Sequence, residues 1–517
     1  MKTVLRGTFN AARLDVSRID LSFPTTYNPI EKGCINAARG LVMTKGMNRR
    51  TFLKLAAVSA GLSHTRAVLA ASAAPPNVLL VVIDDLGWRD FGCYGNQWID
   101  TPSFNRFAAE SMRFTAAYAN APVCSPSRAA LMTGQYPARL RFTGHITAIG
   151  RHRHPDNSRI LPPDDRMFLR HEEISLAEMV EPAGYATAHI GKWHLGGEGY
   201  WPKSQGFDVN IGGWTHGSPP GYWYPYENPE KEWNALIPTL EGGEPGEYLT
   251  DRLANETIAF IETHRDRPFF VHLSHYAVHT PLEAPEDLVA KYRERLSKAE
   301  DASIDAVYAA MVERVDANFG RVMATLERLE LKENTVAIVF SDNGGLLSST
   351  DNRPLRLGKG CLYEGGIRVP LMIRWPGHIE PGTVCREPVM GADLYPTIAG
   401  IAGEKAAPGT VIDGVDLAPL LEGKPSLERD ALYWYYPHYS PQEQQPAAAI
   451  RKGDYKLIEF YDPPGIELYN IEHDLSETKN LVPEMPEKAA ELRDQLHLWL
   501  ESVDAQLHTP NPDYQPQ

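Results

Sequence analysis

Cys124 opens the segment Cys124-Ser125-Pro126-Ser127-Arg128-Ala129-Ala130-Leu131-Met132-Thr133-Gly134, whose residue types suit the chemistry of an anion. Pro126 belongs in the first turn of a helix, where its missing N–H leaves no bond unmade. Cys124 then stands at the helix N-terminus, where free backbone N–H groups and the helix dipole favour negative charge. Arg128, one turn on, brings a fixed positive charge to the same spot. Read alone, the segment describes either a reactive thiolate or a structural thiol beside a helix cap.

Two acidic clusters accompany it, Asp84-Asp85-Leu86-Gly87 and Ser341-Asp342-Asn343-Gly344-Gly345. Each ends a β-branched apolar run, residues 77–83 and 335–340. Hard oxygen ligands without paired His or Cys suit Ca²⁺ or Mg²⁺ better than zinc. Two acidic strand ends brought together would repel without a cation between them. The plainer alternative is a pair of solvated turns. Lys192 and His194 lie in Gly191-Lys192-Trp193-His194-Leu195-Gly196, His279 in His279-Thr280-Pro281 and Lys359 in Gly358-Lys359-Gly360. Singly, such residues usually face solvent or fill a core. As a set, each follows a strand-like run or sits in a Gly-rich loop. His275 is read as structural.

The elements that must position these groups follow from periodicity. Runs 77–83, 185–190, 269–273 and 335–340 read as strands covered on both faces, and each stops in polar residues at its C-terminal end. In open α/β sheets that edge is where ligands bind. Residues 248–264 and 303–331 carry helical spacing, as in Val307, Met311, Val315, Phe319, Val322 and Leu326. The alternation predicts an α/β fold, a large, mostly parallel sheet flanked by helices over residues 75–425. Residues 426–505 predict a smaller antiparallel sheet closed by a helix at 488–503, followed by a tail at 506–517. The long Pro/Gly/aromatic loop 197–247 is expected to shape a cleft.

The chain has 517 residues and a formal charge of -15, which argues against nucleic acid as a partner. An acidic protein that handles an anion must concentrate positive charge locally. Five cysteines, at 34, 93, 124, 361 and 385, do not resemble a disulfide framework. Free thiols are expected for Cys93, Cys361 and Cys385, with a Cys93–Cys361 or Cys361–Cys385 bridge left open. Asn48-Arg49-Arg50-Thr51-Phe52-Leu53-Lys54, a short apolar stretch at 55–62 and Ala71-Ser72-Ala73 resemble a twin-arginine export signal. The apolar stretch is too short to span a bilayer. Residues 47–73 are therefore expected to be a signal peptide, residues 1–46 a mis-assigned start, and the product periplasmic or secreted.

Cys-x-Pro-Ser-Arg followed by Ala-Ala-Leu-x-Thr-Gly resembles the signature of type I sulfatases, the arylsulfatase-like branch of the alkaline phosphatase superfamily. The resemblance runs from Asn77 to about residue 481, with the motifs in family order. It implies that Cys124 is oxidised to formylglycine (3-oxoalanine) by a formylglycine-generating enzyme or an anaerobic sulfatase-maturating enzyme. Twin-arginine export carries folded proteins, so that oxidation would precede passage through the Tat translocase. The resemblance further implies that Asp84, Asp85, Asp342, Asn343 and the modified Cys124 bind one Ca²⁺, in preference to Mg²⁺. Lys192 and His194 would contact formylglycine and sulfate, and His279 and Lys359 would hold sulfate oxygens and protonate the leaving alkoxide. The implied route is attack of an aldehyde-hydrate hydroxyl on sulfur, aided by Asp342, Arg128 and Lys192. Expulsion of sulfate by the second hydroxyl then follows, with His194 as base.

Residues 363–370 and 450–457 resemble sulfatases of bacteria that degrade sulfated polysaccharides, so a sulfated sugar or oligosaccharide is the expected substrate. The aromatic loop 214–226 and the segment 434–439, with His438 as a substrate ligand, either face the sugar or simply pack loops. Two rival expectations are a phosphonate or phosphate-ester hydrolase sharing the metal site and a catalytically silent sulfoglycan-binding protein.

Overall fold

The structure, a computed structural model, describes residues 75–147, 154–440, 442 and 445–516. The expected export segment 47–73, residues 1–46 and Cys34 lie outside the described residues.

In chain order the strands are β1 (Asn77–Ile83), β2 (Met112–Tyr118), β3 (Ile160–Leu161), β4 (Ala186–Gly191), β5 (Val209–Ile211), β6 (Phe269–His275), β7 (Thr335–Ser341) and β8 (Arg368–Arg374). They continue with β9 (Val384–Cys385), β10 (Val389–Met390), β11 (Leu432–Tyr436), β12 (Ala447–Lys452), β13 (Tyr455–Tyr461), β14 (Pro464–Asn470) and β15 (Thr509–Pro510). Nine of them form one sheet, in the order β10-β2-β8-β7-β1-β6-β4-β5 with β9 beside β2. β1 runs parallel to both β6 and β7, and β4 parallel to β5 and β6, while β8 is antiparallel to β7 and β2. The sheet is therefore mixed, as expected, with its antiparallel member outside the all-parallel centre.

The central strand shows why a continuous apolar run was required. Leu79, Val81 and Ile83 join the hydrophobic cluster on one face, while Val78, Leu80 and Val82 join the cluster on the other. Strand period 2 sends alternate side chains to opposite layers, so both sets must be apolar. The first face is covered by helices Leu249–Thr263 and Ala306–Arg328, and the second by Cys124–Thr133 and Leu394–Ile401. The long helix starts later than the expected residue 303, because the Asp305 carboxylate accepts hydrogen bonds from the Val307 and Tyr308 amides and caps it there.

The second sheet is antiparallel, in the order β11-β12-β13-β14, with helix Pro486–Ser502 against it. One apolar cluster joins Tyr118, Ala130 and Ile367 to Trp434, Ile450 and Leu496 and so bridges the two sheets. A buried ionic contact reinforces the junction: Lys456 Nζ donates to Glu364 at 3.0 Å and to Glu477 at 2.9 Å. Cys93, Cys361 and Cys385 are free thiols. No helix among the described residues is long and apolar enough to cross a membrane.

Candidate active site

Register alone brings the two acidic clusters together. Ile83 pairs with Ser341 across parallel β1 and β7, so Asp84-Asp85 and Asp342-Asn343 leave the sheet side by side. The Asp85 amide donates to Asp342 Oδ1 at 3.2 Å and Asn343 Nδ2 to Asp85 Oδ1 at 2.8 Å. Each carboxylate also meets a cation from a different part of the chain. Lys192 Nζ donates to Asp84 Oδ2, Lys359 Nζ to Asp85 Oδ2 and Arg128 Nε to Asp342 Oδ2, each at 2.7 Å.

Burial and partners compete at these carboxyls. Burial raises Asp84 well above the usual carboxylate range despite Lys192. Burial pushes Asp85 upward too, but the Lys359 ammonium that bonds it outweighs burial and holds the carboxyl low. Arg128 and Lys192 likewise overcome burial at Asp342.

The donor set fits a hard divalent cation. Asp84 Oδ1 and Asn343 Oδ1 are buried oxygens without a hydrogen-bond partner, an uncommon and costly state that a cation relieves. The ligand atoms of Asp84, Asp342 and Cys124 lie within 4.8 Å of one another, as do those of Asp85, His279 and Cys124. Cys124 Sγ stands where an oxygen of the oxidised residue would be.

Cys124 begins its helix, as Pro126 requires, and Gly134 ends it in a left-handed conformation with φ 70°. The reactive-thiolate reading does not hold, because burial pushes the thiol up to about 11 even with Lys192 and Lys359 nearby. The unmodified side chain is therefore a neutral thiol at neutral pH.

Above the carboxylates lies a cavity of about 320 Å³ whose wall includes Cys124, His194, His279 and Lys359. Glycine is required at two points around the site. Gly191, with φ 106°, lets the end of β4 lie close against β6, since a Cβ there would lie 1.9 Å from the Ser274 carbonyl oxygen. Gly217 lets a loop close over His194, since its Cβ would lie 2.3 Å from the ring. Burial and then Lys192 push the His194 imidazole well down, and its Nδ1 has no hydrogen-bond partner. Burial and Lys359 push His279 down to about 3 against the pull of Asp85. Both imidazoles are therefore neutral. At Lys359 the attraction of Asp85 outweighs burial and keeps the ammonium charged. A larger groove, about 750 Å³, contains Arg374 and Trp375 and none of these residues.

All the metal-ligand and catalytic candidates read from the sequence thus converge, but His438 does not join them. It is fully buried, bonded to Thr143 Oγ1 at 2.8 Å, and absent from the cavity wall. The structure thus places it behind the cavity wall, away from the position expected of a substrate ligand. Trp214, Tyr222, Tyr226 and Trp434 are likewise core residues. Sequence reasoning did not single out His145, His216, Ser218, Trp233 or Gln442, all on the cavity wall. His216 and Ser218 had a local signal, lying inside the aromatic loop 214–226. Trp233 sits in the short turn Glu232–Asn234, where no periodicity points to it.

Comparison with known proteins agrees with this geometry. Residues 76–404 match the sulfatase family, and residues 357–506 match the family described as N-sulphoglucosamine sulphohydrolase, C-terminal. A sulfatase of Formosa agariphila is 32% identical over 82% of this chain and 88% of its own. Human arylsulfatase A is 34% identical over 78% of this chain and 77% of its own. The crystal structure of Ps i-CgsB in complex with k-i-k-neocarrahexaose superposes with a TM-score of 0.70 at 29% identity, covering 84% of this chain and 94% of that one. A phosphonate monoester hydrolase of Agrobacterium radiobacter shares the fold at 22% identity, with a TM-score of 0.59 and 83% and 95% of the two chains covered. With the matched residues 76–404 embracing both acidic strand ends and the Cys124 helix, the chain belongs to the sulfatase family and is a sulfuric ester hydrolase.

Proposed function

We propose that the chain hydrolyses sulfate esters of a sulfated carbohydrate, with Cys124 oxidised to formylglycine and one divalent cation, Ca²⁺ in preference to Mg²⁺. The observation that carries this reading is the placement of Cys124 Sγ within 4.8 Å of ligand atoms from both acidic strand ends. The neighbour crystallised with neocarrahexaose supports a carbohydrate substrate.

Three carboxylates faced by three cations leave the floor close to neutral, so a divalent cation and an anionic sulfate ester can enter together without large charge imbalance. A bound divalent cation supplies positive charge for sulfate oxygens and lowers the pKa of an oxygen nucleophile. A formylglycine at position 124 would supply, as its hydrate, an oxygen nucleophile for sulfur and a second hydroxyl for release of sulfate.

The chain's own groups divide the remaining work. Arg128 fixes Asp342, and Lys192 fixes Asp84, in one orientation. Lys359, held charged by Asp85 on the cavity wall, is the stronger candidate to protonate the leaving alkoxide. His279, neutral beside it, orients sulfate through its ring. His194, neutral with an unpaired Nδ1, has the state required of a base.

Maturation by a formylglycine-generating or anaerobic sulfatase-maturating enzyme, before twin-arginine export to the periplasm or medium, belongs to the same proposal. Its support is the Arg49-Arg50 segment. Intact-mass analysis of the peptide containing Cys124 tests the oxidation, and N-terminal sequencing of the natural product tests the export. Sulfate release from a panel of sulfated sugars, beside an aryl sulfate and an aryl phosphate, tests the activity. Faster cleavage of the phosphate, or no cleavage of any sugar, overturns the reading.

A further inference from the structure

The floor of the cavity accounts for a sulfate group, and two features of its outer wall concern what carries that sulfate. Tyr436, the last residue of β11, is wholly buried and lines the cavity. Its hydroxyl has no hydrogen-bond partner among the described residues. Buried phenol hydroxyls nearly always have a partner. An unmade bond on the wall of a cavity points to a partner that arrives from outside the chain. Cys124 and Lys359 line the same cavity, so a group bonded to this phenol shares that cavity with the proposed sulfate position.

Trp233 is the second feature. It is 52% exposed yet lines the same cavity. Its ring packs edge-on against His216 at 5.1 Å, and His216 packs edge-on against Trp214, itself in the core, at 4.5 Å. The exposed indole is thus braced from behind by rings that reach into the interior. An aromatic face fixed in solvent and an unpaired buried hydroxyl lining one cavity match the two-sided chemistry of a pyranose, which has an apolar C–H face and a polar edge of hydroxyls. At about 320 Å³ the cavity is small for a ligand site, so it suits one ring rather than a long segment.

We propose that Trp233 and Tyr436 form the sugar-holding wall of the active site: Trp233 stacks on the apolar face of one sulfated pyranose, and the Tyr436 hydroxyl bonds a sugar hydroxyl next to the sulfate-bearing carbon. This rests on the carbohydrate-sulfatase reading above. It makes the C-terminal sheet, through β11, a determinant of substrate choice as well as a packing layer.

The test uses the full chain with oxidation at Cys124 verified by mass. The substrates are galactose 6-sulfate, N-acetylgalactosamine 6-sulfate, glucosamine 6-sulfate and 4-nitrophenyl sulfate, and the variants are Tyr436→Phe, Trp233→Ala and Trp233→Phe. For Tyr436→Phe, the ratio of kcat/KM on the preferred sugar to that on the aryl ester falls about tenfold or more, because the aryl ester has no hydroxyl to lose. For Trp233→Ala, KM for the sugar rises about tenfold with little change in kcat, and Trp233→Phe recovers part of it. Melting curves report folding, and exposed Trp233 keeps the test open if Tyr436→Phe fails to fold. Wild-type ratio and KM in folded variants overturn the proposal, as does equal loss on sugar and aryl ester. A wild-type enzyme that cleaves the aryl ester and no sugar fails at an earlier step and removes the carbohydrate reading along with the proposal.

Discussion

On the floor of the cavity, Asp84, Asp85, Asp342 and Asn343 hang from two adjacent parallel strands and are at most 2% exposed. At the rim, His216, Trp233 and Gln442 come from loops and turns between elements. The floor is cross-braced by ion pairs to Lys192, Lys359 and Arg128, whereas the rim is held by ring packing. The difference separates two jobs. Charge that stabilises a reacting sulfate must be preorganised by the most rigid part of the molecule. Recognition of the group bearing the sulfate can sit on loops, which tolerate change without disturbing the sheet.

Substitutions on the two sides should differ in kind as well as size. The largest effect is expected from Cys124→Ala, which removes the proposed nucleophile. Turnover of every sulfate ester should fall at least about a thousandfold, measured as sulfate release. Comparable activity in that variant would end the formylglycine reading. Chelation of divalent cations comes next. It should abolish activity reversibly and lower the melting temperature, since a ligand present at about 100 times its Kd stabilises the fold by about 2.7 kcal/mol. Calcium should restore both, and an enzyme indifferent to chelator would contradict the cation site.

Lys359→Ala follows, because it strips a buried carboxylate of its partner and the cavity of a proton donor. A loss in kcat of about a hundredfold to a thousandfold is expected, with sugar and aryl esters affected alike. A selective loss on sugars would move Lys359 from the floor to the rim. The smallest catalytic effect belongs to His438→Ala, which lies off the cavity wall. Its expected signature is a stability loss of about 1–3 kcal/mol from the emptied buried site and the lost bond to Thr143, seen in denaturant titration, with kcat/KM close to wild type. A large rise in KM there would return His438 to the substrate site.

The floor was legible in the sequence to a degree that the rim was not. Asp84, Asp85, Asp342 and Asn343 each close a β-branched run that has apolar residues on both faces. Such runs identify central strands, and their ends identify the ligand-binding edge. Lys192 and His279 follow β4 and β6 in the same way. His438 misled because a His within an aromatic segment is equally consistent with a binding surface and with a packed interior. Trp233 went unnoticed because one tryptophan in a short turn carries no periodic signal.

What the residues determined by themselves was the layered α/β scaffold, the helix start at Cys124 and the polar strand ends, since each arises from local propensity and from spacing along a few turns or strands. Only the tertiary structure decided that Lys192, Lys359 and Arg128 each take a different carboxylate. It also decided that the Cys124 thiol stays neutral, and that Tyr436 from the second sheet meets Trp233 from a distant loop on one cavity wall. The physical reason is that burial and pairing depend on which distant segments exclude water from a given side chain. That is set by packing between elements and is not written in any one of them.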